Sequence, residues 1–227
     1  MHGYIGPMDE EPDIQPADFT EYTAFQKWEY RQVIYKGDQD HSWRNLADSY
    51  FSACEPLVRG LAAGELREDI EGTAAIFLFR HYLELALKSI VYSGRLLIVE
   101  DENMFNAFKT EVKEVARIHT LGTLWDWVLK DAKPKVEHWD NYDTESVEKC
   151  IKEFDAVDPK GFAFRYRGSG GEFCRYAFEA LWIQMNHIRQ VLDGISTCLY
   201  ETRQEIREYE EYLDHEFGHE EDYEENE

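Results

Sequence analysis

The stretch EGTAAIFLFRHYLELALKSIVYS, residues 71–93, decides the fold. It is apolar nearly all round, with Ala74, Ala75, Ile76, Phe77, Leu78, Phe79, Leu83, Leu85, Ala86, Leu87, Ile90 and Val91 leaving little surface for water. A helix of that composition belongs in the middle of a bundle. Between its first turn and Arg95 the only charges are Arg80, Glu84 and Lys88, with His81 beside them. Spaced four apart, the three ions fall in one line along the helix. The pattern predicts a central helix over about 71–93 with a single polar row.

Reading outward, Trp43, Leu46, Tyr50, Ala53, Leu57 and Leu61 recur at three and four and predict an amphipathic helix from His41 to the glycines at 60 and 64. Residues 106–118 read as a further helical turn or two. A helix opens at His119-Thr120-Leu121, with Leu121, Leu124, Trp125 and Val128 on its face, and Pro134 is expected to stop it. Val147, Ile151 and Phe154 predict a short helix over 144–157, ending before Asp158-Pro159. From Phe178 a four-three alternation runs through Leu181, Met185, Ile188, Leu192, Ile195 and Leu199, then on through Thr202, Ile206, Tyr209 and Leu213. That is a heptad seam on a helix of about 50 Å whose polar end projects past the bundle. The expected fold is all-α: an up-and-down helical bundle of four to five helices with a long C-terminal helix. The expected organisation is an acidic leader and aromatic-rich segment over 1–40, the bundle over 41–200, and an acidic helical extension and tail over 201–227. No period settles residues 19–36.

The net charge of −23 over 227 residues is concentrated at the ends. Residues 201–227 hold 13 acids and two arginines, and residues 1–20 hold five acids and no Lys or Arg, so the body carries only −7. Polyanion repulsion therefore arises chiefly at the termini, and net charge does not decide the partner. Cys54, Cys150, Cys174 and Cys198 form no C-x-x-C pair and read as free thiols of a reducing compartment. Residues 1–18 carry acids and prolines where a secretory signal needs a basic start and an apolar run, and no stretch reaches the length of a membrane span. A cytoplasmic protein without membrane contact is expected.

Three constellations have chemical potential. The row Arg80, Glu84 and Lys88 reads either as a self-neutralised polar seam, because unpaired buried charge costs several kcal/mol, or as a phosphate-binding or proton-transfer edge that includes His81. The stretch DPKGFAFRYRGSGGEFCRY, residues 158–176, interleaves Lys160, Arg165, Arg167 and Arg175 with Phe162, Phe164, Tyr166 and Phe173. Such a pattern clamps phosphate and stacks on bases, or else pairs with the acidic surface around it. Its Gly168-Ser169-Gly170-Gly171 lacks the lysine of a phosphate loop. Finally, His215-Glu216-Phe217-Gly218-His219 spells HExxH, the zincin arrangement, but its acidic flank replaces the apolar one expected of a zinc enzyme's core helix. Adventitious metal binding at the surface is the favoured of its two metal readings, and a chance match in a Glu-rich tail is the third. No metal and no cofactor are expected. The acidic tail reads as a solvated end, or as a segment that engages a basic partner or folds over the loop arginines.

The run Phe79-Arg80-His81-Tyr82-Leu83-Glu84-Leu85-Ala86-Leu87-Lys88, followed by His119-Thr120-Leu121-Gly122-Thr123-Leu124, resembles the E-x-x-L-K and H-x-L-x-x-L pattern of HEPN domains. Asp158-Pro159 through Phe164-Arg165-Tyr166 is similar to a segment of bacterial HEPN-like proteins, and the resemblance covers roughly residues 40–200. It implies a bundle of four or five helices, often a homodimer, in a superfamily holding metal-independent RNases of defence and toxin systems as well as non-catalytic members. Catalytic members carry a histidine four to six residues beyond an arginine. Counted from Arg80, the positions where that histidine should fall are Leu85, Ala86 and Leu87, and His81 stands only where the polar neighbour would. The leading expectation is a non-enzymatic HEPN-like module binding a nucleotide, RNA or a partner protein, as a homodimer or within a two-gene defence or toxin system, with Glu84, Lys88, Lys160, Arg165, Tyr166 and Arg167 as ligand-binding residues. The alternative is an RNase with a composite site of Arg80, His81 and His119, which Arg165 would join.

Overall fold

The computed structural model describes residues 39–99, 102–159 and 178–217, with side chains over 43–99, 103–159 and 178–209. Six α-helices appear there and no strand: α1 Gln39–Ala62, α2 Glu68–Leu96, α3 Glu102–Arg117, α4 Leu121–Trp127, α5 Thr144–Val157 and α6 Phe178–Phe217. The all-α class and the long C-terminal helix are as expected. The leader and aromatic-rich segment, apart from the start of α1, lie outside the described residues.

α2 is the axis. Three acids in its first turn, Glu68, Asp69 and Glu71, complement the positive end of the helix dipole. Glu71 also reaches back to accept a hydrogen bond from the Arg67 backbone N–H at 2.8 Å, which satisfies one of the donors a helix start leaves open. Beyond that turn α2 is packed by α1, α3, α4 and α6, and Phe79 meets Phe154 of α5 edge-on with ring centroids 5.8 Å apart. Its residues Ile76, Phe79, Leu83, Leu87 and Ile90 are fully buried among Phe51 and Val58 of α1, Leu121 and Leu124 of α4, and Met185 and Ile188 of α6. Enclosure removes the apolar circumference from water at roughly 25 cal/mol per Å², which is why a helix of this composition is stable only at the centre.

The segment read as a turn or two, 106–118, belongs to a complete helix of 16 residues. Its Phe108 and Val112 form a satellite cluster with Tyr92 at the far end of α2. Pro134 acts earlier than expected. A proline ring clashes with the carbonyl four residues back and offers no N–H of its own. The α-helix accordingly ends at Trp127, widens into a π-turn over Val128–Ala132, and closes with a 3-10 turn over Lys133–Lys135 that carries the proline. The wide turn lies against α2 at Gly94, where a Cβ would stand 2.8 Å from the Cα of Ala132 and 2.9 Å from the Asp131 carbonyl oxygen. Arg95 fastens the same contact, donating to Asp131 at 2.7 Å while its guanidinium covers the Trp127 ring at 4.6 Å.

In α6 the seam residues Leu181, Met185, Ile188, Leu192, Ile195 and Leu199 are all buried, as the heptad pattern predicts. The helix continues through residue 200 without interruption to Phe217. Among the described residues, no helix is long and apolar enough to cross a membrane.

Two measurements check this packing. Gly94→Ala is expected to lower unfolding free energy by about 1–3 kcal/mol, since the contact is backbone against backbone and has little room to relax; urea titration reads it. Burial pushes the Cys54 and Cys150 thiols up to about 12. Neither should react with an aromatic disulfide reagent at pH 8 in the folded protein, and both should react once it is unfolded, because the thiolate is the attacking species.

Candidate functional site

The helical spacing of Arg80, Glu84 and Lys88 places them in line, and the structure shows what they face. All three are buried, at 2, 2 and 3 % exposure. Glu84 lies between the two cations: Oε2 accepts from the Arg80 guanidinium at 3.1 Å, and Oε1 accepts from Lys88 Nζ at 2.9 Å. The cations then reach across to the end of α3. Lys88 Nζ donates to the Ala116 carbonyl at 3.1 Å, and Arg80 donates to the His119 carbonyl at 2.6 Å. Ala116 belongs to the last turn of α3, whose carbonyls have no partner within the helix and carry its negative dipole end. Two side chains of α2 thus satisfy acceptors that α3 and the following connection cannot satisfy themselves.

A fourth ion completes the row. Asp158, 2 % exposed at the end of α5, places Oδ2 3.4 Å from Arg80 Nε. Two buried cations therefore face two buried carboxylates. Burial alone would push the Glu84 carboxyl up, but the Lys88 charge and the hydrogen bonds from Lys88 and His119 outweigh it and hold the group below the usual carboxylate range.

His119 is the member that reaches the surface. Its Nδ1 lies 2.9 Å from Glu84 Oε1, and the side chain is 50 % exposed. The next residues are held from the other side: Asp155 of α5 accepts from the backbone N–H groups of Leu121 at 3.2 Å and Gly122 at 2.7 Å, supplying acceptors at the start of α4. Gly122 makes that approach possible, since a Cβ there would stand 2.8 Å from Asp155 Oδ2. The run His119-Thr120-Leu121-Gly122-Thr123-Leu124 thus has a local meaning. The histidine covers Glu84, the glycine admits Asp155, and Leu121 and Leu124 fill the core.

Of the residues singled out in the sequence, Arg80, Glu84, Lys88 and His119 are brought together. His81 is turned elsewhere: its ring packs against Tyr50 of α1, centroids 4.3 Å apart, and lies parallel to Phe77 at 5.9 Å. In the composite of Arg80, His81 and His119, the first and last are joined by the hydrogen bond from Arg80 to the His119 carbonyl, while the His81 ring lies among Tyr50 and Phe77. Adjacent helix positions differ by 100° in direction, so a neighbour in sequence is not a neighbour on the row. Lys160, Arg165, Tyr166 and Arg167 lie outside the described residues, as do the side chains of His215 and His219. Among the described residues no group of three or more His, Cys, Asp or Glu side chains is placed to hold a metal ion. Asp158 and Asp155 are the residues that sequence reasoning missed. Asp158 stood in the sequence only as the residue that ends one helix and opens the stretch 158–176, with no sign that it pairs with Arg80.

Glu84→Ala leaves Arg80 and Lys88 buried without their shared counter-ion and should cost about 3–5 kcal/mol. The acid response follows from the lowered Glu84 carboxyl. Its contribution is complete above the ordinary carboxylate value of 4.5 and is lost as pH falls through the lower folded-state value. Urea midpoints measured from pH 6 downward should therefore show a drop below about pH 4.5 in the wild type that is smaller in Glu84→Gln.

No protein-family model, curated protein or solved structure matches this chain.

Proposed function

We propose that this chain is a non-catalytic HEPN-like helical module of a defence or toxin-antitoxin system that binds RNA through the basic and aromatic side chains of residues 160–175. One observation carries the non-catalytic part: Arg80 and Lys88, the cations that would contact a scissile phosphate, are buried and donate to Glu84 and to the carbonyls of His119 and Ala116. Turning either toward a substrate would strand a buried carboxylate. The row then serves as scaffold, and recognition falls to Lys160, Arg165, Tyr166 and Arg167. That stretch follows Asp158, whose carboxylate is tied to Arg80, and precedes α6. Arginine forks suit phosphate oxygens, and aromatic rings suit unstacked bases.

One feature favours the RNase alternative. With Nδ1 on a buried carboxylate, His119 keeps Nε2 as its second ring nitrogen on a half-exposed side chain, an arrangement in which a carboxylate orients an imidazole for proton transfer. The two readings separate in one experiment. Labelled single-stranded RNA is followed by fluorescence anisotropy and then run on a denaturing gel, using wild type, the triple variant Arg165→Ala/Tyr166→Ala/Arg167→Ala, and His119→Ala. The module reading expects binding that weakens with salt, a loss of roughly tenfold or more in the triple variant, and intact RNA throughout. Equal affinity in wild type and triple variant would remove the proposed recognition segment. Cleavage by wild type that His119→Ala abolishes would establish the RNase instead.

A further inference from the structure

The seam of α6 does not stop where the bundle does. Met185, Leu192 and Leu199 occupy one heptad position, Ile188 and Ile195 the other, and all five are buried. The same register continues through Thr202, Ile206 and Tyr209 to Leu213, on a helix that is unbroken to Phe217. There it comes into solvent, with Ile206 42 % and Tyr209 62 % exposed. A purely solubilising helical end would not carry large apolar groups at core positions of the register it inherits from the bundle.

Charge selects the occupant of this stripe. Residues 200–217 hold seven acids and two arginines, a net −5 with His215 neutral. Glu205 precedes the Ile206 seam position and Glu210 follows that of Tyr209. In a parallel pair of copies these two glutamates would face each other, and in either orientation two chains of −5 would lie 8–10 Å apart, about one Debye length at physiological salt. A second copy is thus disfavoured. A helix with an apolar seam and Lys or Arg at the flanking positions meets both the stripe and its charge. We propose that residues 200–209 of α6 form a docking surface for a basic amphipathic helix of another protein, joined along Thr202, Ile206 and Tyr209. This surface is independent of residues 160–175, so RNA binding and partner docking stand or fall separately.

The test uses the full chain and a synthetic helix-forming peptide with Leu at both seam positions and Lys at both flanking positions, titrated by calorimetry. Ile206→Ser/Tyr209→Ser keeps every charge and touches no buried core residue, so circular dichroism should show the same folded helix content. The expected result is saturable binding to wild type that weakens roughly tenfold or more in this variant, and also weakens as salt is raised. No binding to wild type would overturn the proposal, and so would equal binding to the variant, which would mean charge attraction alone. Sedimentation equilibrium supplies the remaining arm. A wild-type dimer that Ile206→Ser/Tyr209→Ser dissolves would assign the stripe to a second copy and likewise overturn it.

Discussion

The carbonyl groups of Ala116 and His119, at and just beyond the end of α3, take their hydrogen bonds from two buried cations, and the neighbouring elements are arranged around that contact. The donors come from α2, as Arg80 and Lys88. Bringing two cations into the interior creates a second requirement, met by Glu84 within the same helix and by Asp158 from α5. That second requirement follows from the cost of leaving a buried charge unmatched, which exceeds the modest net gain of an average hydrogen bond. The outcome ties the end of α3, the α3–α4 connection and the end of α5 to one line on α2, through carbonyl hydrogen bonds and the Arg80–Asp158 ion pair. The short connection between α3 and α4 is held from both directions, by α2 through its carbonyls and by Asp155 through its N–H groups.

This arrangement bears on the chemistry available to the chain. A guanidinium that binds substrate phosphate needs N–H groups directed at solvent or at a cleft, whereas Arg80 spends its donors inside the protein. His119 differs, because half of its side chain is exposed while Nδ1 is fixed on Glu84. The row therefore has one surface member, and any reactivity it possesses must be expressed there. The runs 79–88 and 119–124 thus coincide with residues that organise the bundle, which supports a scaffold role for them.

Much of the architecture is legible in the residues themselves. The all-round apolarity of 71–93 marks a central helix because only a fully surrounded position suits it, and the spacing of Arg80, Glu84 and Lys88 marks a row because the helix repeat permits nothing else. What periodicity cannot convey is the identity of the facing groups. Asp158 is far from Arg80 along the chain, and backbone carbonyls have no signature in a sequence, so the partners that convert a charged stripe into a clamp emerge only in three dimensions. His81 is the converse case, since adjacency in the chain says nothing of the 100° turn that sets its ring among Tyr50 and Phe77. Pro134 is a subtler case. Its effect is displaced upstream, where the carbonyl its ring would strike lies within the widened turn, so the α-helix ends at Trp127 well before the proline.

The sharing of Glu84 among Arg80, Lys88 and His119 also constrains how this interior can drift between generations. Replacing any one of the four ions passes through an intermediate with an uncompensated charge in the protein interior, a state selection removes before a second change can rescue it. Related chains should therefore keep positions 80, 84, 88 and 158 together or exchange them together for an apolar set, with few mixed combinations surviving. Residue 119, which meets water on one side, has wider latitude: a polar side chain able to donate to Glu84 from the rim would serve the same fold, so the histidine itself is the informative member of the group when relatives are compared.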